Sequence, residues 1–161
     1  MSHEIEAKIK VVHLGPVAER LAVLGAAFLH EVRQVDTYFM DTHKLLHKND
    51  CGLRIRRETV GGKESAMVTL KGPRSQSDYK SRPEYETGIT DVDMTEKIFD
   101  ALGYKPRIKY EKKRAVWRLD DCFVCLDELP RRGCFVEVEG PDEAVIADVL
   151  KKLELQDLPH V

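Results

Sequence analysis

The sequence has no long apolar run and little net charge, and these two absences exclude several classes of protein. No stretch among its 161 residues approaches the roughly 20 consecutive apolar residues of a membrane-spanning helix. The N-terminus also lacks the basic and then apolar pattern of a secretory signal peptide. With 26 Lys and Arg against 28 Asp and Glu, the net charge of −2 gives no general attraction to nucleic acid or anionic lipid. We therefore predict a cytoplasmic protein that binds neither nucleic acid nor membrane.

Cysteine is scarce, and a common nucleotide-binding motif is missing. The four cysteines fit a reducing compartment as free thiols. Cys122 and Cys125 form a C-x-x-C pattern, but their segment alternates like a strand, which places the two thiols on opposite faces. No second pair has a spacing suited to zinc, so we interpret these cysteines as packing residues. The pattern G-x-x-x-x-G-K-[ST] is absent, which excludes a P-loop.

Three segments have the periodicity and end signals of helices. The first is GPVAERLAVLGA, in which proline follows glycine at the start and glycine ends the apolar stripe. The second is TDVDMTEKIFDALGY, which can cap on Asp91 or Asp93 and is predicted to bury Ile98, Phe99 and Leu102. The third is GPDEAVIADVLKKLEL, with acids in its first turn and lysines in its last.

Eight further segments alternate between apolar and polar residues, as half-buried strands do. They are EIEAKIKV, QVDTYFM, CGLRIRRE, SAMVTLKG, SRPEYETGI, RIKYEKKRAVWRL, CFVCLDEL and GCFVEVEG. The two glycines in VGGK predict a tight hairpin turn between the third and fourth strands. No linker divides the chain, so residues 1–161 are predicted to form a single α+β domain. Its mainly antiparallel sheet of about eight strands would carry about three helices outside.

Nearly every predicted strand carries charged residues two positions apart. In the first strand, Glu4, Glu6 and Lys8 share one face, and apolar residues occupy the other. Applied to all strands, the same alternation selects seven acids and seven bases. The acids are Glu4, Glu6, Glu84, Glu86, Asp127, Glu137 and Glu139, and the bases are Lys8, Arg54, Arg56, Lys71, Arg82, Lys112 and Arg114.

These charged faces have two interpretations. On an open sheet they would be solvated, and their cross-strand ion pairs would contribute little to stability. However, Thr, Ser, Gln and Asn are scarce on these faces, and the signs are segregated into acidic EVE and basic RIR and KKR. If the sheet closes, the charges line a lumen in which they must pair, stay hydrated or bind an ionic ligand.

The residue types indicate which ligand such a lumen would bind. Clustered carboxylates suit Mg²⁺ or Mn²⁺, which prefer oxygen ligands. Arginine binds phosphate oxygens through two parallel hydrogen bonds, and lysine binds them as a point charge. A nucleoside triphosphate carries a charge of about −4, which two divalent cations neutralise, so a lumen with balanced charges could take up the complex. Together these groups predict a site for phosphoryl chemistry.

At this point the motifs resemble those of a known family. EIEAK is similar to the E-x-E-x-K signature of the CYTH superfamily, the triphosphate tunnel metalloenzymes. The resemblance continues in order through QVDTYFMDT, LRIRRE, TLKGP, SRPEYE, KYEKKR, CLDEL and GCFVEVEG, and so covers essentially the whole chain. It implies an eight-stranded antiparallel β-barrel, or tunnel, with a charged lumen and about three helices outside.

The resemblance also implies roles for the fourteen charged residues. Triphosphate binding falls to Lys8, Arg54, Arg56, Lys71, Arg82, Lys112 and Arg114, of which Arg82 matches more loosely. Metal binding, with two ions of Mg²⁺ or Mn²⁺, falls to Glu4, Glu6, Asp127, Glu137 and Glu139. Catalysis would depend on Glu4, Glu6, Lys8, Lys112 and Glu137. Glu84 and Glu86 are supporting charges. Because relatives form dimers, a homodimer is one assembly that the resemblance allows.

Three functions follow from these expectations. The first is a class IV adenylyl cyclase, which converts ATP to cyclic AMP and pyrophosphate. The second is a triphosphatase acting on thiamine triphosphate, inorganic tripolyphosphate or a nucleoside triphosphate. The third is a polyphosphate- or nucleotide-binding module without catalysis. The chain stops at LPHV, without the further C-terminal segment of many members, and this favours the open tunnel of the cyclase type. Phe39, Phe123 and Phe135 could contribute to a recess for the base, but plain packing is the favoured explanation of each.

Overall fold

The computed structural model describes residues 2–161, which form eight strands and four helices. The strands are β1 (Ser2–Val11), β2 (Ala27–Asp41), β3 (Gly52–Val60), β4 (Lys63–Lys71), β5 (Lys80–Gly88), β6 (Tyr104–Leu119), β7 (Cys122–Leu129) and β8 (Gly133–Glu139). The helices are α1 (Gly15–Val23), α2 (Leu45–Lys48), α3 (Val92–Ala101) and α4 (Glu143–Lys152). The predicted α+β class is confirmed.

The eight strands form a closed antiparallel barrel in the order β1-β5-β4-β3-β2-β6-β7-β8. Closure follows because β1 pairs with two strands, with β5 through Ser2–Glu6 and with β8 through Glu6–Val11. Tight turns link several neighbours. Gly61 and Gly62 both have positive φ angles, as the predicted hairpin between β3 and β4 requires.

The hydrophobic core lies outside the barrel wall, between β1, β7, β8 and the helices α1 and α4. Ala7 and Ile9 face this core from β1, and Leu21 and Ile146 pack on it from the two helices. Alternation along the strands then leaves the opposite, charged face for the interior of the barrel. The prediction of a charged lumen with helices outside is therefore confirmed.

Helix α3 begins at one of the two predicted capping residues but buries less of its apolar stripe than predicted. Asp91 caps α3, since its side chain accepts a hydrogen bond from the backbone N–H of Met94 at 2.9 Å. The predicted burial of the whole apolar stripe of α3 is wrong, because Ile98 is 52% exposed and Leu102 is 67% exposed. Only Phe99 turns towards the barrel, where its ring contacts Phe39 edge to face. Helix α2 is a single turn of four residues.

No helix within residues 2–161 combines the length and the apolar character needed to cross a membrane.

Candidate active site

The barrel encloses a cavity of about 780 Å³ lined by inward-facing side chains from all eight strands. Thirteen of the fourteen charged residues selected from the sequence lie on its wall. They are Glu4, Glu6, Lys8, Arg54, Arg56, Lys71, Arg82, Glu84, Glu86, Lys112, Arg114, Glu137 and Glu139. The fourteenth, Asp127, has no exposed surface and lies behind the side chains of Lys112 and Arg114.

Acidic and basic side chains are concentrated on different walls of this cavity. The six lining glutamates named above come from β8, β1 and β5, which are adjacent in the barrel. Arg54 and Arg56 on β3 and Lys112 and Arg114 on β6 flank β2, the strand directly opposite β1. Basic residues also occur on the acidic wall, and Lys8 is one of them. The cavity thus presents basic and acidic side chains face to face.

A buried ion network joins β1, β6, β7 and β8. Arg114 donates two hydrogen bonds of 2.6 Å to the carboxylate of Asp127, and Lys112 donates a third at 3.1 Å. Arg114 also pairs with Glu137, and Glu137 forms a second ion pair with the ammonium of Lys8 at 3.1 Å. Burial alone would raise the pKa of Glu137, but Arg114, Lys112 and Lys8 hold that pKa well below its usual range. Glu137 is therefore a carboxylate at neutral pH.

A second group, on β1, β4 and β5, has too few cations for its acids. The ammonium of Lys71 lies 3.2 Å from Glu4 and 2.8 Å from Glu84. Burial, with a hydrogen bond to Glu84, raises the pKa of Glu4 to about 8, although Lys71 acts in the opposite direction. Burial also acts on Glu84, yet its contacts with Glu4 and Lys71 leave its pKa below the ordinary value. At neutral pH, Glu4 therefore holds a proton that it shares with Glu84.

Glu6 and Glu139 are cross-strand neighbours and lie on the same wall. Burial raises the pKa of both, and the charge of Glu137 adds to the effect on Glu6, as that of Glu6 does on Glu139. Among residues 2–161, no Lys or Arg lies within 4 Å of either carboxylate. Glu6 and Glu139 thus lie on this wall without a direct ion-pair partner, and more distant lysines and arginines only partly offset their mutual repulsion.

The acidic wall fits a hard divalent cation by its chemistry. Its side chains offer carboxylate oxygens, which Mg²⁺ and Mn²⁺ prefer, and a bound cation would relieve the repulsion between neighbouring carboxylates. Within residues 2–161, no three His, Cys, Asp or Glu side chains are already close enough to enclose an ion. Because Glu4 and Glu137 are paired with Lys71 and Lys8, these carboxylates would exchange a lysine for the metal.

The basic wall contains the two arginines predicted from the RIR motif. Arg56 donates two hydrogen bonds to the carboxylate of Asp36, at 2.6 and 2.7 Å. Arg54 donates to the hydroxyl of Thr69 at 3.2 Å, and Thr69 donates in turn to Glu86 at 2.6 Å. These partners hold both guanidinium groups in the barrel wall. Little side-chain conformational entropy would therefore be lost when a ligand binds to them.

Arg82 differs from the other predicted phosphate ligands. Its guanidinium donates hydrogen bonds of 2.7 Å to the backbone carbonyls of Gly72 and Asp50. Although Arg82 lines the cavity, these two bonds tie together the segments that follow β4 and α2. The geometry gives Arg82 a role in holding the wall of the cavity.

Several lining residues were not selected from the sequence, among them Gln34, Asp36, Glu58 and Lys80. Gln34 and Asp36 alternate along β2 with apolar residues, so the alternation used for the other strands could have predicted that they line the cavity. Lys80 precedes the segment predicted as a strand and gave no such signal. Of the three phenylalanines considered for a recess, Phe123 and Phe135 line the cavity. The third is buried on the outer face of β2.

Comparisons with known proteins agree with this geometry. Residues 2–158 match the model of the CYTH domain. A Methanocaldococcus jannaschii protein with a provisional adenylate cyclase name is 32% identical over 136 residues, or 84% of this chain and 75% of the relative.

Two solved structures share the fold. A Pyrococcus horikoshii protein has a TM-score of 0.82 at 26% identity, over 98% of this chain and 92% of its own. A Hippeastrum protein, provisionally an adenylyl cyclase and described with a dominant triphosphatase activity, has a TM-score of 0.73 at 17% identity. That likeness covers 98% of this chain and 89% of the Hippeastrum chain and concerns the fold alone.

Proposed function

The chain belongs to the CYTH domain family, and from this premise we propose that its tunnel binds a triphosphate with a divalent metal ion and acts as an adenylyl cyclase. ATP would be converted to cyclic AMP and pyrophosphate. The observation that carries the proposal is the separation of charge inside a closed cavity, where acids on β8, β1 and β5 face arginines and lysines on β3 and β6.

The phosphate groups would be held by the basic wall. Arg54, Arg56, Lys112 and Arg114 are fixed by carboxylates or hydroxyls at their rear, which leaves their remaining N–H groups for phosphate oxygens. In this assignment Asp127 is a positioning residue rather than a metal ligand, because both its oxygens already accept bonds from Lys112 and Arg114.

Lys8 and Lys71 complete the phosphate site from the other side. Each pairs with a glutamate, so each would exchange that carboxylate for a phosphate oxygen when a triphosphate binds. Arg82 would contribute mainly by keeping its backbone carbonyl partners in place. Glu84 and Glu86 would act as supporting charges that orient Lys71 and Thr69.

The metal ions, two of Mg²⁺ or Mn²⁺, would be held by Glu4, Glu6, Glu137 and Glu139. When bound, they would neutralise phosphate charge and lower the pKa of a coordinated hydroxyl group. The chain itself would hold the triphosphate extended between the two walls, so that the ribose 3′-oxygen faces the α-phosphorus. That oxygen forms a bond to phosphorus, the bond to the leaving pyrophosphate breaks, and the hydroxyl proton is released.

Hydrolysis of the triphosphate is the second candidate function. It would use the same walls, with water in place of the ribose hydroxyl. The observation that favours it is that the cavity wall is rich in charged side chains, which would hold a triphosphate whether water or a ribose hydroxyl is the nucleophile. The Hippeastrum protein with the same fold is described with a dominant triphosphatase activity.

Product analysis separates the two candidates. The protein is incubated with ATP, thiamine triphosphate or tripolyphosphate, each with Mg²⁺ or Mn²⁺, and the products are separated by chromatography. Cyclic AMP and pyrophosphate from ATP would support the cyclase. Orthophosphate as the main product would support the triphosphatase, and the absence of any product would leave only a binding module and refute both enzymatic proposals.

A further inference from the structure

Gln34 is a buried side chain on the cavity wall with an unused hydrogen-bond acceptor. It lies on β2, is only 3% exposed and faces the lumen between the basic strands β3 and β6. Its Nε2 donates to the carboxylate of Glu58 at 2.8 Å. Among residues 2–161, no group donates to its Oε1. Buried acceptors without a partner are rare, and one on the wall of a site indicates a ligand.

The orientation of the Gln34 amide is fixed by its neighbour. A carboxylate can only accept hydrogen bonds, so the NH₂ group must face Glu58. Rotation of the amide by half a turn would direct Oε1 at the carboxylate and lose the bond. The oxygen is therefore held as an acceptor for a donor that the protein does not supply.

Two aromatic rings and a planar guanidinium group lie on the same cavity wall as Gln34. Tyr110 is the cross-strand partner of Asp36, two residues along the same face of β2. The guanidinium of Arg132 stacks over the Tyr110 ring at 4.4 Å, and Tyr38 contacts the same ring edge to face at 6.0 Å. Such a surface of aromatic rings and a planar guanidinium suits the stacking of a nucleobase.

The position also suits the phosphate site. Lys112, assigned to phosphate, is the direct cross-strand partner of Gln34. Arg56, also assigned to phosphate, is paired to Asp36. A base bound at Gln34 and Tyr110 would therefore lie next to the groups that hold its phosphates.

We propose, resting on the proposed function, that Gln34 and Tyr110 form a nucleobase subsite that selects triphosphates whose base carries an amino group at the 6-position of a purine or the 4-position of a pyrimidine. The Oε1 of Gln34 accepts a hydrogen bond from the 6-amino group of adenine or the 4-amino group of cytosine. The base stacks on the surface formed by Tyr110 and Arg132. An oxo group at the same position would place a second hydrogen-bond acceptor opposite the Oε1 of Gln34, so a base that carries it is rejected.

Matched pairs of ligands isolate this contact. ATP and inosine triphosphate differ at the 6-position, as CTP and UTP differ at the 4-position. A site built to bond a donor rejects the analogue that lacks it, and for one buried acceptor we expect tenfold to about 100-fold tighter binding of ATP and CTP. Dissociation constants are obtained from the shift of the melting temperature with ligand concentration in the presence of Mg²⁺.

Three variants test the assignment. Gln34→Leu removes the acceptor, so the ratio of the affinities for ATP and inosine triphosphate should approach one. Glu58→Gln frees the Gln34 amide to rotate and present its NH₂ group, so inosine triphosphate should gain affinity relative to ATP. Gln76→Leu changes an exposed glutamine outside the cavity wall and should keep the wild-type ratio. If Gln34→Leu does not fold, Glu58→Gln still decides the question.

Tripolyphosphate, which has no base, tests the phosphate site separately from the nucleobase subsite. If it binds with Mg²⁺ while the wild-type protein binds ATP and inosine triphosphate equally, the subsite is refuted and the proposed function survives. If neither tripolyphosphate nor ATP binds, both fail. An unchanged ratio in Glu58→Gln and in Gln34→Leu would likewise refute the subsite.

Discussion

The carboxyl group of Glu4 should make the stability of the ligand-free protein depend on pH in the neutral range. Its side chain is 15% exposed and shares the ammonium of Lys71 with Glu84, and burial is the main reason that its pKa is raised to about 8. In the unfolded chain the same group has its ordinary pKa of 4.5. The folded protein therefore binds this proton more tightly than the unfolded chain does.

The sign and size of the effect follow from proton linkage. As the pH rises above 4.5, the unfolded chain loses the proton first, so the free energy of unfolding falls until the pH exceeds about 8. At about 1.4 kcal/mol for each pH unit, the full loss is about 5 kcal/mol. Asp36 and Glu137 have lowered pKa values, and their stabilising effect is lost only as the pH falls below about 4, outside this window.

Urea unfolding of the wild-type protein and the Glu4→Gln variant between pH 5 and pH 8.5 measures this contribution. Glutamine stays neutral and can still donate a hydrogen bond to Glu84. The wild-type protein should lose about 4 kcal/mol more than the variant over this range. Glu64→Gln, an exposed change on β4, is the control and should follow the wild type. Parallel curves for wild type and Glu4→Gln would refute the assignment of a buried, protonated Glu4.

Three further predictions address the network, catalysis and local stability. Asp127→Asn leaves Lys112 and Arg114 with an uncharged partner inside the wall and should lower the free energy of unfolding by about 3 kcal/mol in chemical denaturation. The exposed change Glu128→Gln should leave the free energy of unfolding unchanged, and equal stability of the two variants would contradict the network. Glu4→Ala and Glu137→Ala should each reduce product formation from a triphosphate by orders of magnitude with the circular dichroism spectrum retained, and unchanged turnover in both would remove the metal assignment. Asp91→Ala should destabilise the protein by about 1 kcal/mol through loss of the α3 cap, with Asp93→Ala as the comparison; a smaller effect at Asp91 than at Asp93 would be inconsistent with the capping bond.

Alternation was enough to predict much of the barrel from the sequence. Glu4, Glu6 and Lys8 share a face with the charged residues of the other strands because a strand repeats every two residues, and closure turns these faces inward. The order of the motifs predicted the family, which is confirmed by the match over residues 2–158. Local signals were sufficient here because the charged and apolar faces are so clearly separated.

Other features depend on contacts between residues distant in the chain, which alternation cannot give. Asp127 has the same parity as its neighbours on the wall, but two long basic side chains on β6 cover it completely. Arg82 likewise bonds to backbone carbonyls whose positions are set by two separate loops. In α3, the periodicity predicted buried residues that are exposed, since helical spacing does not tell how much of a stripe the barrel covers.

The roles of individual residues in the tunnel remain predictions that binding measurements can test. The central claim is that the inward face of the barrel, and not its charge in general, binds the triphosphate. Lys112 and Lys113 are adjacent on β6, yet the first lines the cavity and the second is exposed near Glu31. Changing each to methionine removes the same charge from the two sides of one strand.

Calorimetric titration of tripolyphosphate with Mg²⁺ into the wild type, Lys112→Met and Lys113→Met is therefore the most direct test. We expect saturable binding at one site per chain, weakened by tenfold to about 100-fold in Lys112→Met and unchanged in Lys113→Met. Equal affinities in the two variants, or no saturable binding to the wild type, would contradict a triphosphate site inside the barrel.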